Sequence, residues 1–191
     1  MLEPTIIVHG GAGSIPAVSQ EAHRQGCVAA ARAGGEILLS GGTAVEAVCA
    51  AVEVLENDPI FNAGLGCALT LDGNVSLDAA VMCGHSLDAA GVGCIGPFPN
   101  PVRIAQKLVP ENEVLLVGPQ AEMWALSHGF ETVPKEGLIT ENVRKVWNRV
   151  VNEGGSANFA GGTVGAVCRD ADGRMAAATS TGGTMGKTPG R

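Results

Sequence analysis

The sequence is poor in charged and aromatic side chains. Charged residues make up 16% of its 191 residues, aromatic residues make up 3%, and tyrosine is absent. The 12 basic residues are outnumbered by 19 acidic ones, which gives a formal net charge of −7. Nucleic acids and anionic membranes attract proteins that carry a basic surplus. We therefore expect neither of them as a partner.

Long apolar runs and paired cysteine motifs are also missing. No run reaches the ~20 apolar residues of a membrane-spanning helix, and residues 1–15 lack the basic start and long apolar stretch of a signal peptide. We therefore expect a cytoplasmic protein. The cysteines form no C-x-x-C pair, which favours free buried thiols over a disulfide framework or a zinc site. There are six of them: Cys27, Cys49, Cys67, Cys83, Cys94 and Cys168.

Hydrophobic residues are abundant at 46%, and 28 residues are glycine. At about 100–200 residues per domain, this predicts one globular domain with many tight turns. Helical spacing predicts helices at 19–39, 43–56, 102–108, 120–128 and 141–151. Alternating or β-branched runs predict strands at 5–9, 67–71, 75–82, 89–95, 113–117, 163–168 and 175–180. We expect the first strand to be central, and the pairs 67–71 with 75–82 and 163–168 with 175–180 to be hairpins.

A glycine-rich segment without periodicity, residues 152–162, separates the last predicted helix from the last predicted hairpin. Its composition is typical of a flexible linker. It divides the chain into residues 1–162 and 163–191, which we expect to form one domain together. The second part begins abruptly with Thr163 at the start of a predicted strand.

Four short motifs carry most of the functional information. His9-Gly10-Gly11-Ala12-Gly13 follows the first predicted strand, but it lacks the G-x-G-x-x-G order and the P-loop lysine of nucleotide sites. The other three are Phe61-Asn62-Ala63-Gly64, Gly161-Gly162-Thr163-Val164-Gly165, and Ala178-Thr179-Ser180-Thr181-Gly182-Gly183. In this order the motifs resemble the plant-type asparaginase and isoaspartyl peptidase family of N-terminal nucleophile hydrolases. The resemblance extends from His9 to Arg191.

The resemblance implies a fold and a reaction. The fold would be of the α/β (α+β) class, a four-layer αββα sandwich, incomplete at its C-terminus. The substrates would be L-asparagine or β-aspartyl (isoaspartyl) peptides. Family members cut themselves before a threonine, here between Gly162 and Thr163. The released α-amine, with a pKa of about 7.7–8.0, can then act as the base for the Thr163 hydroxyl.

Further site residues are implied by the same resemblance. Thr181 would form hydrogen bonds within the site, Arg191 would bind the substrate α-carboxylate, and Asn62 would position groups near the cleavage site. His9, Gly10 and Gly11 would support the site. No cofactor is implied for the chemistry, but a structural sodium ion would be held by the main-chain carbonyls of Leu55, Glu56, Asp58, Phe61, Ala63 and Leu65. Processed αβ units would form a homodimer.

Each of these assignments has a simpler alternative. Thr163 could be an ordinary strand residue, and Thr181 and Arg191 could be ordinary loop residues. Asp78 matches an acidic position of the family, and its simpler alternative is that it does no more than support a turn. Cys83 stands where family members have a second acid.

Two alternative functions also stay open. Glycosylasparaginases have similar glycine motifs, but they are cut at an Asp-Thr junction and enter the secretory route; Gly162 and the missing signal peptide argue against this interpretation. A non-catalytic relic or interaction subunit is the alternative from another class. Family members continue beyond the arginine with the oxyanion-hole residues, so we expect the 191 residues alone to have little activity. We also expect the 163–180 hairpin to lack neighbours and to expose unpaired strand edges.

Overall fold

The computed structural model describes residues 2–111, 113–154 and 162–191. Residues 155–161, most of the predicted linker, lie outside the described residues. In the described part, the strands are β1 (Thr5–His9), β2 (Leu77–Cys83), β3 (Ala89–Ile95), β4 (Leu115–Val117), β5 (Val164–Arg169) and β6 (Met175–Thr181). The α-helices are α1 (Ala17–Leu39), α2 (Ala44–Glu56), α3 (Pro101–Leu108), α4 (Gly118–Ser127) and α5 (Glu141–Val151).

The helix pair α1 and α2 forms where the sequence predicts it, for local reasons. The Thr43 hydroxyl accepts a hydrogen bond from the backbone N–H of Glu46 at 3.2 Å, and the Glu46 carboxylate accepts one from the N–H of Thr43 at 2.8 Å. This capping box satisfies two backbone donors at the start of α2. Small residues let α1 pack closely against α2. A Cβ added to Gly34 of α1 would lie 2.8 Å from the carbonyl oxygen of Ala47 in α2.

The strands form one mixed sheet in the order β1-β5-β6-β2-β3-β4. Among these six described strands, only β3 and β4 pair in parallel. Among the strands that the structure describes, β1 lies at an edge of the sheet, and the prediction that it is central is wrong. The hairpin of β5 and β6 lies inside the sheet, because β5 pairs with β1 and β6 pairs with β2. The expected unpaired edges of this hairpin are therefore absent from the described structure.

The predicted hairpin of 67–71 with 75–82 is also wrong. Residues 67–71 form no strand, and only an isolated bridge joins Leu69 to Val75. The second run does form a strand, β2, but its partners are β3 and β6. The turn residues Asp72-Gly73-Asn74 therefore reverse the chain without starting a ladder.

The two faces of the sheet have different environments. One face packs against α1, α2 and α3, and its side chains are buried: Leu77, Ala79, Val81, Val164, Ala166, Cys168, Ala176 and Ala178. The opposite face carries exposed apolar side chains: Ile7, Met82, Leu115, Val117, Val167 and Met175. We call these six residues the open face. At this level the predicted mixed α/β class is confirmed.

Two further observations bear on the composition. Among the described helices, none combines the length and the apolar character that crossing a membrane requires. All six cysteines are free, and Cys49, Cys67 and Cys168 are buried. The prediction of free buried thiols is therefore confirmed for these three, whereas Cys27, Cys83 and Cys94 are half-buried.

Candidate functional site

The glycine loop after β1 lies directly against the start of the last hairpin. In the antiparallel pairing of β1 and β5, His9 lies opposite Gly165. A Cβ added to Gly11 would lie 2.7 Å from the Gly162 nitrogen, and one added to Gly162 would lie 2.6 Å from the Ala12 nitrogen. Gly11 also has a φ of +104°. Only glycine fits at this contact, which places loop 10–13 beside the Gly162–Thr163 bond.

Thr163 and Thr181 are neighbours at one end of the hairpin. Val164, the first residue of β5, pairs with Ser180 of β6. Thr163 directly precedes Val164 and Thr181 directly follows Ser180, so the same register places the two threonines opposite each other. Thr163 is exposed and Thr181 is half-buried. The Thr181 Oγ1 accepts a hydrogen bond from the backbone N–H of Gly183 at 2.9 Å. Among the described residues no acceptor takes the Thr181 hydroxyl hydrogen, so within that part of the chain it is available as a donor.

Asn62 holds the turn that follows Thr181. Its side chain is buried, the Nδ2 donates to the Gly183 carbonyl at 2.7 Å, and the Oδ1 accepts from the N–H of Ala68 at 2.7 Å. Its backbone carbonyl also accepts from the N–H of Gly182 at 3.0 Å. Asn62 thus connects the loop after α2 to the end of β6. Its predicted positioning role has a definite contact to act through and stays a prediction.

Lys187 is a residue that the sequence did not single out. It is 4% exposed, and its Nζ donates to the Ser76 carbonyl at 2.6 Å and to the Gly182 carbonyl. Burial lowers the pKa of Lys187, while the nearby Asp78 carboxylate opposes this shift. Lys187 lies in a Thr- and Gly-rich segment without periodicity, so no local sequence pattern predicts that it is buried.

Two of the other predicted site residues lie on strands next to this centre, with His9 opposite Gly165 and Asp78 opposite Thr181. His9 lies on the same side of the sheet as the open face. A Cβ added to Gly165 would lie 2.5 Å from the Nε2 of His9. Arg191 is exposed, and its side chain forms no salt bridge within the described residues. Asp78 accepts a hydrogen bond from the N–H of Cys94 at 2.8 Å, next to the irregularity between β2 and β3. This contact joins β2 to β3 and involves no turn, so the role of Asp78 stays a prediction.

The segment predicted to hold sodium folds back on the end of α2. The Glu56 carbonyl accepts from the N–H of Leu65 at 2.8 Å, and the Asp58 carbonyl accepts from the N–H of Phe61 at 3.2 Å. Gly64 and Gly66 have φ values of +51° and +89°. A Cβ on Gly64 would lie 2.7 Å from the Pro99 carbonyl oxygen. The glycines thus let this loop turn tightly against its neighbours.

The side chain of Glu56 has a separate position in the core. The residue is fully buried, and its carboxyl accepts hydrogen bonds from the N–H of Val102 at 3.0 Å and from Asn100 Nδ2 at 3.3 Å. It therefore contacts the first turn of α3. Burial raises the pKa of Glu56 to about 8, against the opposing hydrogen bonds from Val102 and Asn100.

We expect the Glu56→Gln substitution to make the folded protein less sensitive to alkaline pH. The raised pKa means that folded Glu56 keeps a proton that the unfolded chain releases above about pH 4.5. The contribution of Glu56 to the free energy of unfolding is therefore fully present below pH 4.5, and it is lost as the pH rises through about 8. By pH 9 this loss reaches a few kcal/mol, because each pH unit between the two pKa values contributes about 1.4 kcal/mol.

Urea unfolding at intervals from pH 5 to pH 9 measures this effect. The control is Glu131→Gln, because Glu131 is exposed. Parallel pH curves for the wild type and Glu56→Gln would contradict the prediction.

These features define a mixed α/β protein whose candidate site joins a glycine loop, a Gly-Thr junction and a turn held by Asn62. A family model described as "Asparaginase" matches residues 2–191. The chain therefore belongs to this asparaginase family, as its motifs predict.

Curated relatives agree with this membership. The chain is 40% identical over 194 residues to an isoaspartyl peptidase/L-asparaginase of Xenopus laevis, a match that covers 100% of this chain and 63% of the relative. It is 43% identical over 192 residues to the protein of that name from Mus musculus, covering 97% and 59%. An isoaspartyl peptidase of Escherichia coli (strain K12) is 37% identical over 208 residues, covering 100% and 64%. The chain thus spans about three fifths of the length of these relatives.

Proposed function

We propose that this chain is part of an amidohydrolase that cleaves L-asparagine and β-aspartyl peptides with Thr163 as its nucleophile. The observation that carries the proposal is the position of the Gly162–Thr163 bond. This bond lies against loop 10–13, and Thr163 stands beside Thr181 at the end of the hairpin. The names of the curated relatives support the same substrate class.

Self-cleavage comes first in this mechanism. The Thr163 hydroxyl attacks the carbonyl carbon of Gly162, and the C–N bond breaks to give an ester and a free α-amine. Water then hydrolyses the ester, which separates Gly162 from Thr163. The absence of side chains on Gly11 and Gly162 leaves room for the bent peptide that this attack requires.

Substrate hydrolysis uses the same hydroxyl. The α-amine of Thr163 accepts the hydroxyl proton while the oxygen attacks the substrate amide carbon, and the proton passes to the departing ammonia or amine. Water hydrolyses the resulting acyl-enzyme ester and regenerates Thr163. Thr181, with its hydroxyl hydrogen available, donates to the reacting oxygen. The exposed Arg191 guanidinium binds the substrate α-carboxylate through two parallel hydrogen bonds.

The finer fold belongs to the same proposal. The exposed apolar side chains of the open face suit a second sheet packed against the first, as a four-layer αββα sandwich requires. The longer relatives contain residues outside the part that this chain matches. We propose that residues of that kind form the second sheet and cover the open face. The homodimer of processed αβ units and the cytoplasmic location also stay proposals.

A sodium ion is the proposed structural ligand of the loop after α2. Main-chain carbonyl oxygens are hard donors that suit a hard cation. Glu56 and Asp58 each use their carbonyl for one hydrogen bond, which leaves a second lone pair on each oxygen. The residues therefore fit the ion chemically, with Leu55, Phe61, Ala63 and Leu65 as the further carbonyl donors.

We expect sodium to raise the melting temperature of the protein. A ligand present at 100 times its dissociation constant stabilises the folded state by about 2.7 kcal/mol. Differential scanning fluorimetry in NaCl and in choline chloride of equal ionic strength measures this effect. Equal melting temperatures in the two salts would remove the sodium proposal.

An activity assay tests the function directly. The protein, expressed at the length that its gene encodes, is incubated with L-asparagine, a β-aspartyl dipeptide and the matching α-aspartyl dipeptide. We expect hydrolysis of the first two and none of the third. Turnover of an N-acetylglucosamine-linked asparagine in their place would favour the glycosylasparaginase alternative. No turnover of any of these substrates would favour the non-catalytic alternative.

A further inference from the structure

The ammonium of Lys187 occupies an unusual position for a charge. Lys187 is 4% exposed, and it forms no salt bridge within the described residues. Burying an ammonium carries a large desolvation penalty unless polar partners compensate. Its partners are two backbone carbonyls, those of Ser76 and Gly182. Such a costly arrangement calls for a role beyond filling the core.

The Gly182 carbonyl belongs to the peptide unit that reaches Thr181. A peptide unit is planar, so the C=O of Gly182 and the N–H of Gly183 point in opposite directions and turn together. This N–H donates to Thr181 Oγ1 at 2.9 Å. When Lys187 holds the carbonyl, it also fixes the direction of the N–H. Without this contact, a peptide between two glycines can flip readily.

Charge strengthens this short chain of hydrogen bonds. An ammonium bound to a carbonyl polarises the peptide unit and makes its N–H a stronger donor. A stronger bond into Thr181 Oγ1 makes the Thr181 hydroxyl a better donor in turn. The hydrogen bonds thus connect Lys187 through the Gly182–Gly183 peptide to Thr181, which lies next to Thr163.

Asn62 holds the same turn from the other side but does not duplicate this contact. It bonds the N–H of Gly182 and the carbonyl of Gly183. These groups belong to the peptide units before and after the one that Lys187 holds. The Gly182–Gly183 unit therefore depends on Lys187 for its orientation.

We propose that Lys187 is a positioning residue that acts through the Gly182–Gly183 peptide to orient and polarise the Thr181 hydroxyl. This inference rests on the function proposed for Thr163. It predicts a defect in the rate of the chemical step, with little change in substrate binding, because Lys187 touches the turn and not the exposed substrate-binding side chain of Arg191.

The test compares Lys187→Met with three matched variants. Lys145→Met removes an exposed lysine, Leu108→Ala weakens the core in α3, and Thr181→Ala removes the hydroxyl through which Lys187 acts. We expect Lys187→Met to lower kcat about 10- to 100-fold, the effect of a small misplacement in a reactive site, and to leave KM within about threefold. Lys145→Met keeps the wild-type kcat. Leu108→Ala lowers the melting temperature but keeps kcat per folded molecule.

The double variant provides the readout that a merely structural role would not give. In the Thr181→Ala background, Lys187→Met should change kcat by less than about twofold, because the two residues act as one unit. A full, additive loss in that background would overturn the proposal, and so would a kcat for Lys187→Met within about twofold of the wild type. Lys187→Gln, which keeps an N–H donor without the charge, is expected to retain an intermediate kcat.

The outcomes also separate this inference from the proposed function. Normal turnover by Thr163→Ala would overturn the function and this inference with it. Loss of turnover in Thr163→Ala together with normal turnover in Lys187→Met would overturn the inference alone. If circular dichroism shows that neither Lys187→Met nor Lys187→Gln folds, Lys187 is a structural residue and the inference is wrong.

Discussion

Replacing Thr163 with alanine is expected to leave the Gly162–Thr163 bond intact and to remove substrate turnover. The hydroxyl that attacks the Gly162 carbonyl is lost, and so the α-amine that would serve as the base is never released. Removing a nucleophile of a catalytic unit costs roughly 10⁴- to 10⁶-fold in kcat. This is the largest effect that the proposed mechanism predicts.

Intact-mass spectrometry and an ammonia-release assay measure the two parts of this prediction. The matched control is Thr163→Ser, which keeps a hydroxyl on the same backbone and should cleave itself and turn over substrate, though more slowly. Cleavage before residue 163 in the alanine variant, with contaminating proteases excluded, would contradict self-processing. Unchanged ammonia release by that variant would contradict the assignment of Thr163 as nucleophile.

Replacing Asn62 with alanine is expected to lower both stability and activity strongly. Asn62 is 1% exposed, and its side chain satisfies the N–H of Ala68 and the carbonyl of Gly183. An unsatisfied buried polar group costs about 1–3 kcal/mol, so losing both contacts should cost roughly 2–6 kcal/mol. The turn after Thr181 also loses one of its supports, and we expect kcat to fall about 10²-fold.

One further variant and a control complete the test of Asn62. Asn62→Asp keeps an acceptor for Ala68 but turns a buried carboxylate oxygen toward the Gly183 carbonyl, so at neutral pH it should lose at least as much stability as alanine and still show the loss of kcat. Asn148→Ala is the control, because Asn148 is exposed on α5. Urea unfolding and steady-state kinetics give the two readouts. A kcat of Asn62→Ala close to the wild-type value would show that the turn does not depend on this side chain.

Local sequence signals account for much of the fold. The capping box of Thr43 and Glu46 places the start of α2, and alternating residues around the Asp170–Gly173 turn place the last hairpin. Each of these signals lies within a few residues of what it determines. The same holds for the short glycine-containing motifs, which mark both Thr163 and Asn62 from local sequence alone.

Features that depend on distant contacts could not be predicted in this way. The place of β1 in the sheet depends on its pairing with β5, more than 150 residues away along the chain, in which Thr5 lies opposite Arg169 and His9 opposite Gly165. The failure of 67–71 to form a strand follows from the pairing of β2 with β3 and β6 instead. The burial of Lys187 depends on carbonyls from Ser76 and Gly182, which only the folded sheet brings together.

The position of the last hairpin has a consequence for refolding after the proposed cleavage. β5 hydrogen-bonds to β1, and β6 hydrogen-bonds to β2, so both neighbours of the hairpin come from before the Gly162–Thr163 bond. Cutting that bond would therefore leave two polypeptides woven through one sheet, held by ladders on both sides. Once unfolded, such a pair must meet again by diffusion. Its refolding would become a second-order reaction whose rate rises with protein concentration, whereas the uncut chain refolds at a concentration-independent rate.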